Sequence, residues 1–196
     1  MNLKTIGILV GMLPFIIGCV STTPGDAAYK SANYEQAANL YAKQENKLAA
    51  LKLGLMIQNK KISTKNHGTA LKWYIKACEL GSNKGCHNSG YSYEYAKNGA
   101  IKDYNKARTY YTISAKRNFI QSQYNLGTLY SNNYFINDIE GLKWILISKK
   151  SAENCLNNSV CQWVKKDPPS HQNKLENRMN KNQINSAKKN VKLWKY

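Results

Sequence analysis

The chain has 196 residues, with 29 Lys and Arg against 11 Asp and Glu, and therefore a formal net charge of +18. This length is enough for one ordinary domain with a sizeable core, and the charge indicates attraction to anionic lipid, a polyanion or an acidic partner. Only three of the basic residues are arginines, which disfavours nucleic-acid binding, and compositional bias alone would also explain the excess of lysine.

The first segment of the chain resembles a bacterial lipoprotein leader. Lys4 precedes an apolar run over residues 6–17, which is too short to span a bilayer comfortably, and the run closes in Ile16-Ile17-Gly18-Cys19. The resemblance implies a signal peptide over residues 1–18, a lipid on Cys19 and a flexible leash over residues 19–28. An ordinary signal peptide or a short membrane anchor is the alternative.

This resemblance also implies a location in the bacterial cell envelope. The mature chain would be tethered to a membrane on its periplasmic side. Val20, rather than an aspartate, follows the cysteine and favours the outer membrane by the same analogy.

Apolar residues at helical spacing predict a chain of helices from residue 29 onwards. The predicted helices cover residues 29–46, 47–59, 67–80, 84–96, 104–117, 121–131 and 139–150. We expect Asn66, Asp103 and Asp138 to cap three of them and Gly81 to end one in a left-handed conformation. Residues 154–163 are predicted to form a shorter terminal cap.

The predicted helices carry an internal repeat. Gly54 returns as Gly90 and then as Gly127, at separations of 36 and 37 residues. An alanine followed by an aromatic pair accompanies the glycine, as Ala70-x-x-Trp73-Tyr74, Ala107-x-x-Tyr110-Tyr111 and, more loosely, Gly141-x-x-Trp144-Ile145, with an earlier half-copy at Ala37-x-x-Leu40-Tyr41. This period predicts an all-α fold, an α/α solenoid of three to four stacked helix-turn-helix repeats over residues 29–166.

These motifs resemble Sel-1-like repeats, a tetratricopeptide-related α/α unit, over residues 33–152. Cys78-Glu79-Leu80-Gly81 followed by Gly85-Cys86 is similar to the cysteine-rich subfamily. The resemblance implies a protein or peptide partner. It also implies two further hypotheses: an immunity protein that neutralises a secreted phospholipase-type toxin, and a β-lactam-binding or β-lactam-hydrolysing protein.

Four cysteines remain once Cys19 is assigned to lipid. Cys78 lies close to Cys86 in the sequence, as Cys155 does to Cys161, and an oxidising compartment permits two local disulfides. A Cys78 to Cys155 linkage would contradict this interpretation. Zinc is disfavoured because the spacings differ from the usual ligand motifs, and we expect no metal and no cofactor.

The C-terminal segment, residues 170–196, carries a net charge of +6. Its apolar residues lie close to helical spacing, which predicts either a basic amphipathic helix or a disordered tail. A helix of this kind can contact anionic lipid or a partner.

No catalytic motif emerges from the sequence. The three histidines are scattered, and no nucleophile elbow, H-E-x-x-H motif or phosphate-binding glycine loop is present. We therefore expect a lipid-anchored interaction adaptor and not an enzyme. Four tyrosines on or near the repeated apolar faces are candidates for the partner-binding face: Tyr91, Tyr95, Tyr124 and Tyr130.

Overall fold

A computed structural model describes residues 23–155, 159–166 and 169–194 of the chain. The predicted signal peptide and Cys19 lie outside the described residues. Within these ranges the fold is all-α, with twelve helices. They are α1 (Pro24–Lys30), α2 (Tyr34–Ala42), α3 (Lys47–Gln58), α4 (Thr64–His67), α5 (Ala70–Glu79), α6 (Asn83–Tyr95), α7 (Tyr104–Lys116), α8 (Ile120–Ser131), α9 (Asp138–Glu153), α10 (Ser159–Lys166), α11 (Pro169–Glu176) and α12 (Lys181–Leu193).

The longer helices pack as successive antiparallel pairs. Helix α3 packs against α5, α6 against α7, and α8 against α9, while α5 also contacts α6 and α7 contacts α8. Each pair therefore buries its apolar face against the next pair along the chain, as the repeat period predicts. The fold is a helix-pair solenoid.

The repeated glycines mark the closest approach of two helices in each pair. A Cβ atom placed on Gly54 would lie 2.6 Å from Cε1 of Tyr74, so only glycine lets this ring lie flat against the neighbouring helix. The same contact occurs in four pairs, which are Gly25 with Tyr41, Gly54 with Tyr74, Gly90 with Tyr111, and Gly127 with Ile145. Helices α1 and α2 thus form a shortened first unit ahead of three full units.

In the first two full units, the hydroxyl of the packed tyrosine donates to an acceptor four residues after the glycine. Tyr74 donates to Oε1 of Gln58 at 2.6 Å, and Tyr111 donates to Oε2 of Glu94 at 2.7 Å. In the last unit Ile145 has no hydroxyl, and Ser131 lies at the acceptor position. Ser131 instead lies 2.6 Å from Nδ1 of His171 on α11, so the C-terminal segment takes over this contact.

The predicted leash is wrong for residues 24–28, which form most of α1. Thr23 caps this helix by accepting from the amide of Asp26, and a proline follows the cap. The Asp26 carboxylate pairs with Lys52 and accepts from the Tyr41 hydroxyl at 2.5 Å. Both contacts, the one to Lys52 foremost, lower the pKa of Asp26 to about 2. Tertiary contacts therefore fix α1, and a left-handed Ala32 (φ 61°) separates it from α2, so the helix predicted over residues 29–46 is interrupted after Lys30.

Two predicted helix starts also move. The helix expected at residue 67 begins at Ala70, because Thr69 and not Asn66 provides the cap. His67 is buried in the short α4, where its carbonyl accepts from the indole of Trp73 at 2.6 Å. Asn137 and not Asp138 caps α9.

Other predicted boundaries are confirmed. The side chain of Asp103 accepts from the Lys106 amide at 2.9 Å and caps α7. Gly81, which follows the C-cap residue Leu80 of α5, has a φ of 89°, the conformation expected of a glycine that ends a helix.

Both local cysteine pairs are disulfide-bonded in the structure. Cys78 near the end of α5 joins Cys86 near the start of α6, with Cα atoms 4.5 Å apart. This bridge therefore clamps the turn between two units. Cys155 after α9 joins Cys161 on α10, with Cα atoms 6.1 Å apart.

The last three helices cover the final unit. Helices α10 and α11 contact both α8 and α9, and α12 packs on α9. Val164, Leu175 and Ala187, one from each of the three, are fully buried. The basic C-terminal segment thus contains two helices within the described residues. None of the helices described is long and apolar enough to cross a membrane.

Candidate binding surface

Several large apolar side chains are exposed where the helices of the second and third full units meet their loops. Tyr95 at the end of α6 is 50% exposed, and Ile101 in the loop before α7 is 87% exposed. In the loop between α8 and α9, Tyr134 is 43% exposed and Ile136 is fully exposed. We call these four residues, together with Tyr91 and Tyr104, the aromatic patch.

Two ring contacts lie within the patch. The rings of Tyr104 and Tyr134 stack with centroids 3.8 Å apart, which joins the start of α7 to the α8–α9 loop. Tyr91 and Tyr95, one turn apart on α6, have centroids 4.7 Å apart. Rigid, partly exposed aromatic side chains lose little conformational entropy on binding and are frequent anchors at protein interfaces.

Lysine ammonium groups lie over these rings. Nζ of Lys97 is 5.2 Å from the ring centre of Tyr91 and 5.9 Å from that of Tyr95, and it donates to the Tyr91 hydroxyl at 3.1 Å. Nζ of Lys102 lies 5.9 Å from the ring centre of Tyr104. These cation–π contacts place positive charge at the edge of an apolar surface. The patch is therefore suited to apolar side chains flanked by carboxylates.

A buried polar network supports the patch from inside. Glu94 is 6% exposed and accepts from the Tyr111 hydroxyl, which in turn accepts from Nδ2 of Asn125 at 3.1 Å. Burial raises the pKa of the Glu94 carboxyl, although hydrogen bonds from Tyr111 and Tyr95 oppose the shift. The network links α6, α7 and α8 and fixes the orientation of the helix that carries Tyr91 and Tyr95.

Two of the four tyrosines predicted to face a partner lie in the core instead. Tyr124 is 3% exposed, with its ring edge-on to Trp163 at 4.6 Å, and Tyr130 is 9% exposed beside Phe135 at 5.7 Å. Both belong to α8, which α10 and α11 cover. Tyr91 and Tyr95 do reach the surface, so the predicted face is shifted towards the loops.

Four members of the patch are not predicted from the sequence, namely Ile101, Tyr104, Tyr134 and Ile136. One signal was available. Each isoleucine begins an Ile-x-Asp motif, Ile101-Lys102-Asp103 and Ile136-Asn137-Asp138, just before a capped helix. Because these isoleucines precede the helix, they do not belong to the apolar face with which that helix packs. In the first full unit the isoleucine just before α4, Ile62, is buried instead at 7% exposure.

The three histidines have separate polar neighbours. His67 pairs with Glu35 at 3.0 Å, His87 lies 3.0 Å from the Ser122 hydroxyl, and His171 contacts Ser131. Burial lowers the pKa of His87 to about 4, and the nearby Lys84 adds to the shift. Across the part of the chain that the structure describes, no group of three or more His, Cys, Asp or Glu side chains could hold a metal ion.

The fold and the patch together define a helix-pair repeat protein with an exposed aromatic surface. The family model of the Sel1 repeat matches residues 47–82, 83–119 and 120–146, which correspond to the three full units. The chain belongs to the Sel1 repeat family, whose members generally act as protein-interaction scaffolds and are typically non-enzymatic.

Solved structures agree with this assignment. One neighbour is a protective antigen of uropathogenic Escherichia coli strains that displays an SLR fold, at a TM-score of 0.65 and 20% identity, covering 86% of this chain and 37% of that one. Another is a Sel1 repeat protein from Oxalobacter formigenes, at a TM-score of 0.56 and 25% identity, covering 68% of this chain and 58% of that one. The chain thus spans less than two thirds of either neighbour. No protein with a curated description matches it in sequence.

Proposed function

We propose that this protein is a lipid-anchored adaptor of the bacterial cell envelope. Its anchor is Cys19, its solenoid faces the periplasm from the outer membrane, and its aromatic patch holds a protein or peptide partner. The observation that carries the binding part of this proposal is the aromatic patch itself.

The chemistry of the patch specifies the kind of partner. Tyr95, Ile101 and Ile136 offer exposed apolar area, which is the usual source of interface hot spots and is not needed for packing the solenoid. Lys97 and Lys102 border this area with positive charge. We therefore infer a partner segment that inserts apolar or aromatic side chains and places Asp or Glu beside them.

The sequence pattern at Ile16-Ile17-Gly18-Cys19 supports the anchor. Pro24 at the start of α1 lies five residues after Cys19. Even a fully extended connection of this length reaches only about 18 Å. A lipid on Cys19 would hold the first unit close to the bilayer, and the basic C-terminal helices would contact anionic lipid.

In-cell photo-crosslinking tests the adaptor role. A photoreactive phenylalanine analogue is placed at Tyr95 or at Ile136 in the anchored protein, and crosslinked products are identified by mass spectrometry. The matched control carries the same group at Asn39, an exposed position on α2. One protein captured from both patch positions and absent from the Asn39 control is the expected result; a lipase-type toxin in that place would make the adaptor an immunity protein.

A variant then connects capture to the patch. Ile101→Ser with Ile136→Ser should abolish capture by a photoreactive group placed at Tyr95, while the thermal midpoint stays unchanged because both isoleucine side chains are exposed. Equal labelling from Asn39, or a thermal midpoint that falls together with capture, would refute the assignment of the patch. The anchor is tested separately, since Cys19→Ala should remove acyl labelling.

A further inference from the structure

A groove of about 490 Å³ lies between α9 and α12, on the last unit of the solenoid. Its lining comprises Leu146, Lys149, Lys150, Glu153, Lys188, Val191 and Lys192.

The lining forms two facing helical ridges. On α9 the lining residues follow the spacing i, i+3, i+4 and i+7 from Leu146, and on α12 they follow i, i+3 and i+4 from Lys188. This is the spacing of neighbours on one face of a helix. The buried Ala187 on α12 lies beside the groove and fixes this helix against α9. The groove is thus a product of packed helices and not of a loop.

The composition of the groove is amphipathic. Four lysines and one acidic residue, Glu153, line it, together with two apolar residues, Leu146 and Val191, which we call its floor. Lys149 donates to the amide oxygen of Gln172 at 2.7 Å. Because an amide is neutral, this hydrogen bond does not neutralise the charge of Lys149. Lys188 and Lys192 are exposed on α12.

We propose that this groove binds the headgroup of an anionic phospholipid at a membrane surface. The lysine ammonium groups would hold the phosphate, and the floor of Leu146 and Val191 would take the first carbons of the glycerol and acyl chains. The apolar floor favours a lipid over a free anion, because inorganic phosphate has no apolar part to bury. This inference rests on the proposed attachment to a membrane and gives the basic C-terminal helix a defined ligand.

Vesicle co-sedimentation tests the groove. The probe is a vesicle of phosphatidylglycerol and phosphatidylcholine, compared with one of phosphatidylcholine alone. The protein is the full chain with Cys19→Ser, so that no attached acyl group contributes and the leader is common to all variants. Each lysine near an anionic surface contributes substantially to binding, so Lys188→Gln with Lys192→Gln should weaken phosphatidylglycerol binding about thirtyfold.

The matched control lies on the same helix. Lys181→Gln with Lys189→Gln removes the same charge from exposed positions that do not line the groove, and it should weaken binding less than about threefold. Equal losses in the two variants would show delocalised charge attraction and overturn the proposal. So would unchanged binding in the groove variant, or inorganic phosphate that competes as well as soluble phosphatidylglycerol.

Unchanged thermal midpoints of both variants would exclude misfolding as the cause of a loss. Failure of the groove can be separated from failure of the proposed function. The photo-crosslinks from Tyr95 and Ile136 report on the aromatic patch, and acyl labelling of Cys19 reports on the anchor; neither readout depends on Lys188 or Lys192.

Discussion

Gly90→Ala probes the contact on which each repeat is built. A Cβ atom at Gly90 would lie 2.7, 2.8 and 3.0 Å from three ring atoms of Tyr111. The ring cannot withdraw easily, since Tyr111 is fully buried and its hydroxyl is held by Glu94 at 2.7 Å and by Asn125 at 3.1 Å.

Two opposing effects set the magnitude. Overpacking of a fixed core ring costs about 3 kcal/mol, at the upper end of the usual range. Replacing a mid-helix glycine by alanine returns about 1 kcal/mol of helix propensity. We therefore expect Gly90→Ala to lower the free energy of unfolding by about 2 kcal/mol, measured by urea denaturation followed by circular dichroism.

A double-mutant cycle isolates the ring as the cause. In a Tyr111→Ala background no side-chain atom beyond Cβ remains to clash, so Gly90→Ala should become stabilising by about 1 kcal/mol. Gly81→Ala is the control, because no atom lies within 4 Å of its Cβ position and its cost comes from a φ of 89° alone. That cost should be the same in both backgrounds. Two results would refute this explanation of the glycine. Gly90→Ala could be neutral in the native background, or it could be equally destabilising with and without the Tyr111 ring. Either result would mean that the close contact with Tyr111 is not what requires a glycine at position 90.

Three further outcomes are expected. Because the folded chain lowers the pKa of His87 to about 4, the unfolded chain binds the proton first as the pH falls. About 3 kcal/mol of the free energy of unfolding should therefore be lost between about pH 6.5 and pH 4. His87→Gln should flatten this part of the curve of stability against pH, measured by urea denaturation, and an unchanged curve would contradict the assignment. Cys78→Ser with Cys86→Ser removes a disulfide between residues eight positions apart in the sequence. This double substitution should lower the free energy of unfolding by about 2–3 kcal/mol in urea denaturation. A loss below about 1 kcal/mol would show that the disulfide does not constrain the unfolded chain. Arg178→Lys removes a guanidinium that donates to both carboxylate oxygens of Asp138. Limited trypsin digestion of the C-terminal helices should become several-fold faster, although the number of trypsin cleavage sites is unchanged. An equal digestion rate would mean that this contact does not hold these helices on the solenoid.

The repeat frame could be predicted because its contacts lie within a fixed period. The glycines at 54, 90 and 127 and the aromatic pairs that follow them report a packing rule that each unit obeys on its own. Helix α1 escaped prediction for the opposite reason. Its Pro24-Gly25-Asp26 start is typical of a turn, and only contacts of Gly25 with Tyr41 and of Asp26 with Lys52 make it a packed helix.

The binding surface was only half predictable. Tyr91 and Tyr95 share one helix, so their common exposure follows from spacing within α6. The stacking of Tyr104 on Tyr134 joins the start of α7 to a loop thirty positions later, and no local pattern indicates it. Tyr124 was misplaced because a sequence does not show which later element covers a given helix face, and here α10 and α11 do so.

The order of packing along the chain gives the molecule two distinct ends. Helix α1 contacts α2 at one end of the series, whereas α12 packs on α9 at the other. If Cys19 is an anchor and the lysine groove a second contact, the protein would touch the bilayer near both ends of the helix series. The solenoid would then lie along the membrane surface. The aromatic patch lies on the units between these ends. Two contacts would fix its distance from the membrane surface and its orientation relative to that surface. A partner would meet a surface whose orientation is already set, before any contact between the two proteins forms.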